Sequence, residues 1–264
     1  MSFPTVGVLA LQGGFHEHLS LLHKAFAHLK VSQPAKWQQQ TPSFIEVRNP
    51  AELSRCDSLI IPGGESTTIA FIAAQSGLLE PLRQFVKVDR KPTWGTCAGL
   101  ILLSEEANAT KKGGQELIGG LSVRVQRNHF GRQVESFIAD VDLPFLAQDG
   151  GPAPFPGVFI RAPIVEQILS SNPSEVPGGS QTTSSDSADR VQVLAVLPDR
   201  TKRVRNLKDV GDAADTENKA NDIVAVRQRN VVGTSFHPEL TDDIRMHVWW
   251  LEEVIKVCGP ASPQ

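Results

Sequence analysis

A cysteine stands at the centre of the segment Gly95–Gly99, which reads Gly-Thr-Cys-Ala-Gly. The apolar residues before it predict a strand, and the run Leu100–Leu103 after it predicts the start of a helix. A strand–turn–helix with glycines two residues either side of its central residue presents the nucleophile in many hydrolases. A thiol at the start of a helix is biased towards the reactive thiolate. The same residues also fit a small, inert thiol that is buried in a glycine-bounded turn.

The segment His237-Pro238-Glu239 follows a β-branched run that begins at Val231. Proline keeps the preceding residue out of the helical region, and alternate residues of an extended chain point to the same side. His237 and Glu239 are therefore predicted to face one site. A histidine can take the proton of a thiol, and a carboxylate can orient that histidine. Together with Cys97, the pair predicts nucleophilic catalysis, which a lone histidine would not.

Two further segments are candidates for binding a substrate. Pro62–Ser66 contains two glycines and follows a predicted strand at 57–61, at the sheet edge where ligands of open α/β proteins bind. Its backbone N–H groups could form an oxyanion hole, although a plain strand-to-helix turn capped by Ser66 fits as well. Arg161 ends a strand at 158–160, where it could hold a carboxylate or form a surface salt bridge.

Strands and helices alternate along the chain, which predicts a parallel sheet with helices on both faces. Strands are predicted at 5–11, 44–47, 57–61, 121–125, 134–141, 158–160, 191–197, 223–227 and 231–236. Helices are predicted at 15–29, 50–53, 67–75, 78–88 and 242–257. The first helix carries four histidines that lack a metal-ligand pattern and are predicted to be surface or packing residues: His16, His18, His23 and His28.

The composition argues against several classes of protein. A net charge of −3 and a pI of about 6.2 give no reason to expect a nucleic-acid partner. No run approaches the ~20 apolar residues of a membrane-spanning helix. The three cysteines lack the spacing of a disulfide framework, and the N-terminus lacks the pattern of a secretory signal. We therefore expect a cytoplasmic protein with a free thiol.

A chain of 264 residues fits one domain, and no internal repeat is visible. We expect a single domain spanning residues 1–264. Polar or Ser-, Pro- and Gly-rich composition predicts flexible insertions near 31–43, 104–115, 170–190 and 199–222.

The sequence resembles the class I glutamine amidotransferases, and more closely the family of glutaminase subunits of pyridoxal 5'-phosphate synthases. Two segments match many amidotransferases: the strand–turn–helix at Gly95–Leu100, called the elbow below, and Ser235–Thr241. Pro62–Thr68 and Phe130–Val134 match the subunit family specifically. Further matching segments are Gly7–Gly13 and Phe159–Pro163. The resemblance thus extends from near the start of the chain to near its end.

This resemblance implies a three-layer, flavodoxin-like α/β domain. It implies hydrolysis of L-glutamine to L-glutamate and ammonia through Cys97, His237 and Glu239, without a metal or an organic cofactor. The ammonia would pass to the synthase subunit of pyridoxal 5'-phosphate synthase in a hetero-oligomer. The substrate contacts implied are Gly64, Glu65, Ser66, Arg127, Ile160 and Arg161. The family commonly has serine where this chain has His129, so the role of His129 stays open.

Two alternatives share part of this pattern. A glutaminase of another amidotransferase, or a γ-glutamyl hydrolase, would keep the same elbow, but the stretch Phe130–Gln133 argues against both. An inactive scaffold that only binds a partner would not need the complete set of Cys97, His237 and Glu239.

Overall fold

The computed structural model describes residues 3–108, 115–127, 136–146, 154–169, 189–197 and 222–259. The helices are α1 (Phe15–Ser32), α2 (Pro34–Trp37), α3 (Pro50–Leu53), α4 (Ser66–Gln75), α5 (Leu79–Arg83), α6 (Ala98–Leu103) and α7 (Arg245–Cys258). A π-helical turn, Gln84–Val88, continues α5, and single 3₁₀ turns lie at Pro144–Leu146 and Pro238–Leu240.

The strands are β1 (Val6–Leu9), β2 (Phe44–Val47), β3 (Ser58–Ile61), β4 (Thr93–Thr96), β5 (Ser104–Ala107), β6 (Leu121–Gln126), β7 (Ser136–Val141), β8 (Phe155–Ile160), β9 (Ile164–Ile168), β10 (Gln192–Leu197), β11 (Asp222–Gln228) and β12 (Val231–Thr234).

The main sheet begins with five parallel strands in the order β2-β1-β3-β4-β12. β11 runs antiparallel to β12, and β9, β6 and β5 continue the sheet, while β10 also pairs with β11. β7 and β8 form a separate antiparallel pair. Because β1, β3, β4 and β12 are parallel neighbours, the loops after their carboxyl ends lie side by side at one edge.

Both faces of the parallel sheet are buried. On β3, Ile60 packs in the core under α1 and α7, whereas Leu59 and Ile61 pack in the core under α4, α5 and α6. Successive residues of a strand point to opposite faces, so a strand covered on both sides must be apolar throughout. The predicted three-layer α/β class is confirmed.

The segment 31–43, predicted to be a flexible insertion, differs from that prediction. It contains the end of α1 and the whole of α2, and the side chain of Trp37 is fully buried. The Trp37 ring lies 5.5 Å from that of Phe3 and 5.6 Å from that of Phe26. A single large aromatic residue anchors this otherwise polar stretch, because its buried area outweighs the cost of ordering the turn.

The other predicted insertions fall largely outside the described residues. Within 104–115, the described part contains β5, so this segment is not only a loop. Residues 170–188 and 198–221 lie outside the described residues. Asp222, the last residue of the predicted insertion 199–222, belongs to β11. The single-domain prediction stays a prediction.

The closing elements agree with expectation apart from their ends. β11 and β12 form the predicted hairpin around Arg229-Asn230, and the last helix begins at Arg245 rather than at Asp242. Among the described residues, no helix has the length and apolarity needed to cross a membrane.

Candidate active site

The predicted strand–turn–helix around Cys97 is present. β4 ends at Thr96, Cys97 has φ 47° and ψ −99°, and α6 begins at the next residue. A positive φ is strained for a residue with a Cβ atom, and such strain is found where the surrounding structure enforces it. The Cys97 N–H donates to the Thr234 carbonyl at 2.7 Å, which ties the elbow to β12.

Glycine is required where the elbow meets its neighbour. A Cβ atom on Gly99 would lie 2.1 Å from the carbonyl oxygen of Ile61 on β3. That distance is far below van der Waals contact with a backbone atom, so α6 can approach β3 this closely only because residue 99 has no side chain.

His237 and Glu239 lie in contact just after β12. The Nδ1 atom of His237 is 2.7 Å from Oε1 of Glu239, and both residues are buried. The His237 N–H donates to the Val158 carbonyl at 2.8 Å. Glu239 lies in the 3₁₀ turn Pro238–Leu240 rather than in an extended segment, so the expected pairing arises by a tighter turn than the sequence predicted.

The electrostatics of this pair favour an imidazolium beside a carboxylate. Burial lowers the pKa of His237, but the hydrogen bonds with Cys97 and Glu239 outweigh burial and raise it to about 10. Burial raises the pKa of Glu239, while His18 and His237 together lower it well below its usual range. The site can therefore hold a protonated His237 between an ionised carboxylate and a thiol.

Two loops pack directly against the pair. A Cβ atom on Gly63 would lie 2.2 Å from Cε1 of His237, and one on Gly14 would lie 3.1 Å from Cγ of Glu239. The Gly63 carbonyl accepts a hydrogen bond from the Gly14 N–H at 3.1 Å. Because the Gly63–Gly64 peptide is trans, the Gly64 N–H points in the direction opposite to the Gly63 carbonyl.

The structure brings together several residues predicted to contact a substrate. The Ser66 hydroxyl donates to Oε1 of Gln115 at 3.1 Å, and the Arg127 guanidinium donates to the same oxygen. The hydrogen bond from the Thr67 hydroxyl lowers the pKa of Glu65, and the charges of Arg127 and Arg161 lower it further. Gln115 was missed by sequence reasoning, which placed it at the end of a loop.

The remaining predicted contacts border the thiol. The Sγ atom of Cys97 lies 3.9 Å from the carbonyl oxygen of Ile160. Arg161 follows directly, is exposed and has φ 46°. Gly64 and Glu65 are also exposed. Glu65, rather than Ser66, caps α4, because its carboxylate accepts the Thr67 N–H at 3.1 Å.

Of the four histidines predicted to be surface or packing residues, His18 is the one that packs inside. It is fully buried, with Nε2 3.3 Å from Oε2 of Glu239, a contact that the sequence did not predict. His16, His23 and His28 are exposed, as expected. The signal for His18 was its spacing, three residues after Phe15 on the apolar face of α1.

The role of His129 stays open, because this residue lies outside the described residues. Within the described part of the chain, no group of three or more histidine, cysteine or acidic side chains is arranged to hold a metal ion.

The electrostatic effect of Cys97 on His237 can be tested by titration. Replacing Cys97 with serine (Cys97→Ser) should lower the pKa of His237 from about 10, because one of the two groups that raise it is lost. NMR of the imidazole ring across the pH range measures this pKa. Cys258→Ser, at the opposite edge of the sheet beside Asp57, is the control and should leave it unchanged. An unchanged His237 pKa in Cys97→Ser would show that Cys97 does not act on the imidazole of His237.

Comparison with known proteins identifies the family. The model of the SNO glutamine amidotransferase family matches residues 8–180 and 199–256. A probable pyridoxal 5'-phosphate synthase subunit PDX2 from Arabidopsis thaliana is 43% identical over 265 residues, covering 98% of this chain and 89% of that protein. The pyridoxal 5'-phosphate synthase subunit PdxT from Pyrococcus abyssi is 38% identical over 251 residues, covering 95% and 99%. A crystal structure of a glutamine amidotransferase is 34% identical with a TM-score of 0.63, covering 95% of this chain and 98% of that one. The chain therefore belongs to the SNO glutamine amidotransferase family.

Proposed function

We propose that this protein hydrolyses L-glutamine to L-glutamate and ammonia, with Cys97 as the nucleophile, His237 as its acid and base, and Glu239 as the carboxylate that orients His237. The observation that carries the proposal is the buried 2.7 Å contact between Nδ1 of His237 and Oε1 of Glu239 beside the strained elbow of Cys97. Membership of a glutamine amidotransferase family supports glutamine as the substrate.

The proposed reaction has two covalent steps. Sγ of Cys97, as the thiolate, attacks the side-chain amide carbon of glutamine, and His237 gives its proton to the leaving nitrogen, so that ammonia departs and a γ-glutamyl thioester remains. His237 then takes a proton from water as the water oxygen attacks the thioester carbon. The C–S bond breaks, glutamate leaves and loses its acid proton to solvent, and the thiolate of Cys97 beside protonated His237 is restored. Glu239 stays ionised throughout and holds the ring of His237 in place. The scheme uses no metal or organic cofactor.

We assign the binding of the amino-acid part of glutamine to three charged groups, the exposed Glu65 and Arg161 and the buried Arg127. Arg127 and Arg161 can pair with the α-carboxylate, and Glu65 with the α-ammonium group. Their support is electrostatic: the charges of both arginines lower the pKa of Glu65. Gly64, Ser66 and Ile160 complete the proposed contacts, and the Gly64 N–H is the candidate oxyanion donor.

We further propose that the ammonia is passed to the synthase subunit of a pyridoxal 5'-phosphate synthase, within a hetero-oligomer. This step is supported by the relatives in Arabidopsis thaliana and Pyrococcus abyssi, which are named as subunits of that synthase. The net charge of −3 gives no support for a nucleic-acid partner. A cytoplasmic location, with reduced cysteines, remains a prediction.

The nucleophile is tested by Cys97→Ser. Glutamine hydrolysis should fall by at least about a thousandfold, because a serine hydroxyl is far less ionised than a thiol at neutral pH. Ammonia release from glutamine, with synthase present, is the measurement. Cys258→Ser should keep the wild-type rate. Substantial turnover by well-folded Cys97→Ser would overturn the assignment, and a wild-type protein without turnover would favour the inactive scaffold.

The substrate contacts are tested by Arg161→Ala. If the guanidinium holds the α-carboxylate, KM for glutamine should rise about tenfold or more while kcat changes little, since a hydrogen bond to a charged group contributes about 1.5–3 kcal/mol. Arg229→Ala is the matched control, because Arg229 is also exposed and has a similar positive φ of 53° but lies in the β11–β12 turn. A fall in kcat with unchanged KM would remove this role from Arg161.

The proposed partner is tested by adding it. The isolated chain should release ammonia slowly, and the synthase subunit should raise the rate, because docking can stabilise the orientation of the Gly63–Gly64 peptide that points an N–H at the oxyanion. Losing one such donor lowers kcat by about 10²–10³ in a protease. Equal rates with and without synthase would rule out this form of activation.

A further inference from the structure

Behind Glu239 lies a row of buried polar side chains that the reaction scheme does not use. Nε2 of His18, on α1, is 3.3 Å from Oε2 of Glu239 and 3.3 Å from Oγ1 of Thr96. On the other side of the ring, Nδ1 of His18 is 3.0 Å from Nε2 of His247 on α7. His18, Thr96 and His247 are all fully buried. The row therefore connects the second oxygen of Glu239 to a histidine on the far helix.

The surroundings of His247 determine where its proton lies. Burial holds the pKa of His247 well below its usual value, so the ring is neutral and carries one proton. Among the described residues, Nδ1 of His247 has no hydrogen-bond partner, and the ring packs 5.3 Å from that of Trp94. A proton on Nδ1 would be a buried, unpaired donor, whereas a proton on Nε2 can be donated to His18.

The proton on His247 in turn determines the tautomer of His18. If Nε2 of His247 donates, Nδ1 of His18 must accept, and the proton of His18 lies on Nε2, facing Glu239. The opposite arrangement would leave an N–H of His247 without an acceptor. It would also turn a bare Nε2 of His18 towards an ionised carboxylate, with only the Thr96 hydroxyl left to donate to that nitrogen. Both penalties would be paid in an apolar interior, where they are largest.

We propose that His18 is a positioning residue whose Nε2–H is shared between Oγ1 of Thr96 and Oε2 of Glu239, a buried oxygen that no regular hydrogen bond reaches within the described part of the chain. His247 fixes His18 in the tautomer able to do so. Glu239 is then held between two imidazoles, His18 at Oε2 and His237 at Oε1. The second donor keeps the carboxylate from rotating away from His237. Nδ1 of His237 is the closer of the two donors, at 2.7 Å from Oε1 of Glu239. This role rests on the glutamine hydrolysis proposed above.

The tautomer can be observed without any enzymatic activity. Heteronuclear NMR of the histidine ring nitrogens in the complete chain should show His18 protonated at Nε2 and bare at Nδ1, and His247 protonated at Nε2. In His247→Leu, His18 should no longer be held in this single form. Finding His18 of the wild type protonated only at Nδ1 would overturn the inference, whether or not the protein hydrolyses glutamine.

The effect on catalysis is measured as kcat and KM for glutamine with synthase present. His18→Leu should lower kcat about tenfold, in the range found when outer partners of metal-bound histidines are removed, with little change in KM. His18→Gln should lie closer to the wild type, because its amide retains both an N–H donor and an acceptor. If packing alone mattered, the apolar leucine would do at least as well as glutamine. That order of kcat values, in variants with matched unfolding midpoints, would overturn the proposal.

A double substitution separates the two histidines. An amide nitrogen always carries its hydrogens, so His18→Gln does not need a neighbour to fix its protonation. His247→Leu should therefore lower kcat clearly when residue 18 is histidine and less in the His18→Gln background. Equal losses in both backgrounds would show that His247 does not act through His18. His28→Leu, at an exposed position of the same helix, is the control and should leave kcat unchanged.

Discussion

The carboxylate of Glu239 is the group on which the rest of the site depends, because it is ionised although only 5% of the residue is exposed. An unpaired buried charge costs several kcal/mol, so its two oxygens need donors from the protein. His237 supplies one at 2.7 Å, and His18 lies at 3.3 Å from the other. Gly14 and Gly63 pack so closely against the pair that a Cβ atom on either would lie within 3.1 Å of it. Position and charge of His237 follow from this arrangement.

The parallel sheet brings these groups together without long loops. β4 and β12 are paired in register, with Thr96 beside Thr234, so the chain segments that carry Cys97 and His237 leave the sheet at the same level. β1 and β3 end at the same edge and supply Gly14 and Gly63. Because four neighbouring strands fix four backbone segments, the strand register sets the backbone positions of Cys97 and His237.

The parts of the fold and site that could be predicted depend on local sequence. The elbow at Cys97 and the turn at His237 are recognisable within a few residues. Continuous apolar runs predict strands that are buried on both faces, as in a parallel sheet. The parts that could not be predicted depend on contacts between distant residues. The hydrogen bonding of His18 depends on His247, 229 positions away, and the burial of Trp37 depends on packing against Phe3. Within α1, the pattern that placed His18 on the apolar face could not reveal a carboxylate beside it.

The two sides of Cys97 differ in how firmly they are held. On one side, His237 and Glu239 are buried and fixed by contacts from several elements. On the other side, Gly64, Glu65 and Arg161 are exposed, and a few hydrogen bonds hold the loop, among them the Glu65 N–H to Oε1 of Gln12 at 2.7 Å. Loops with exposed backbone hydrogen bonds open at low free-energy cost, whereas a packed core does not. The proposed activation by a partner would therefore act on the exposed side, where the oxyanion donor is proposed, and leave the pair of His237 and Glu239 unchanged.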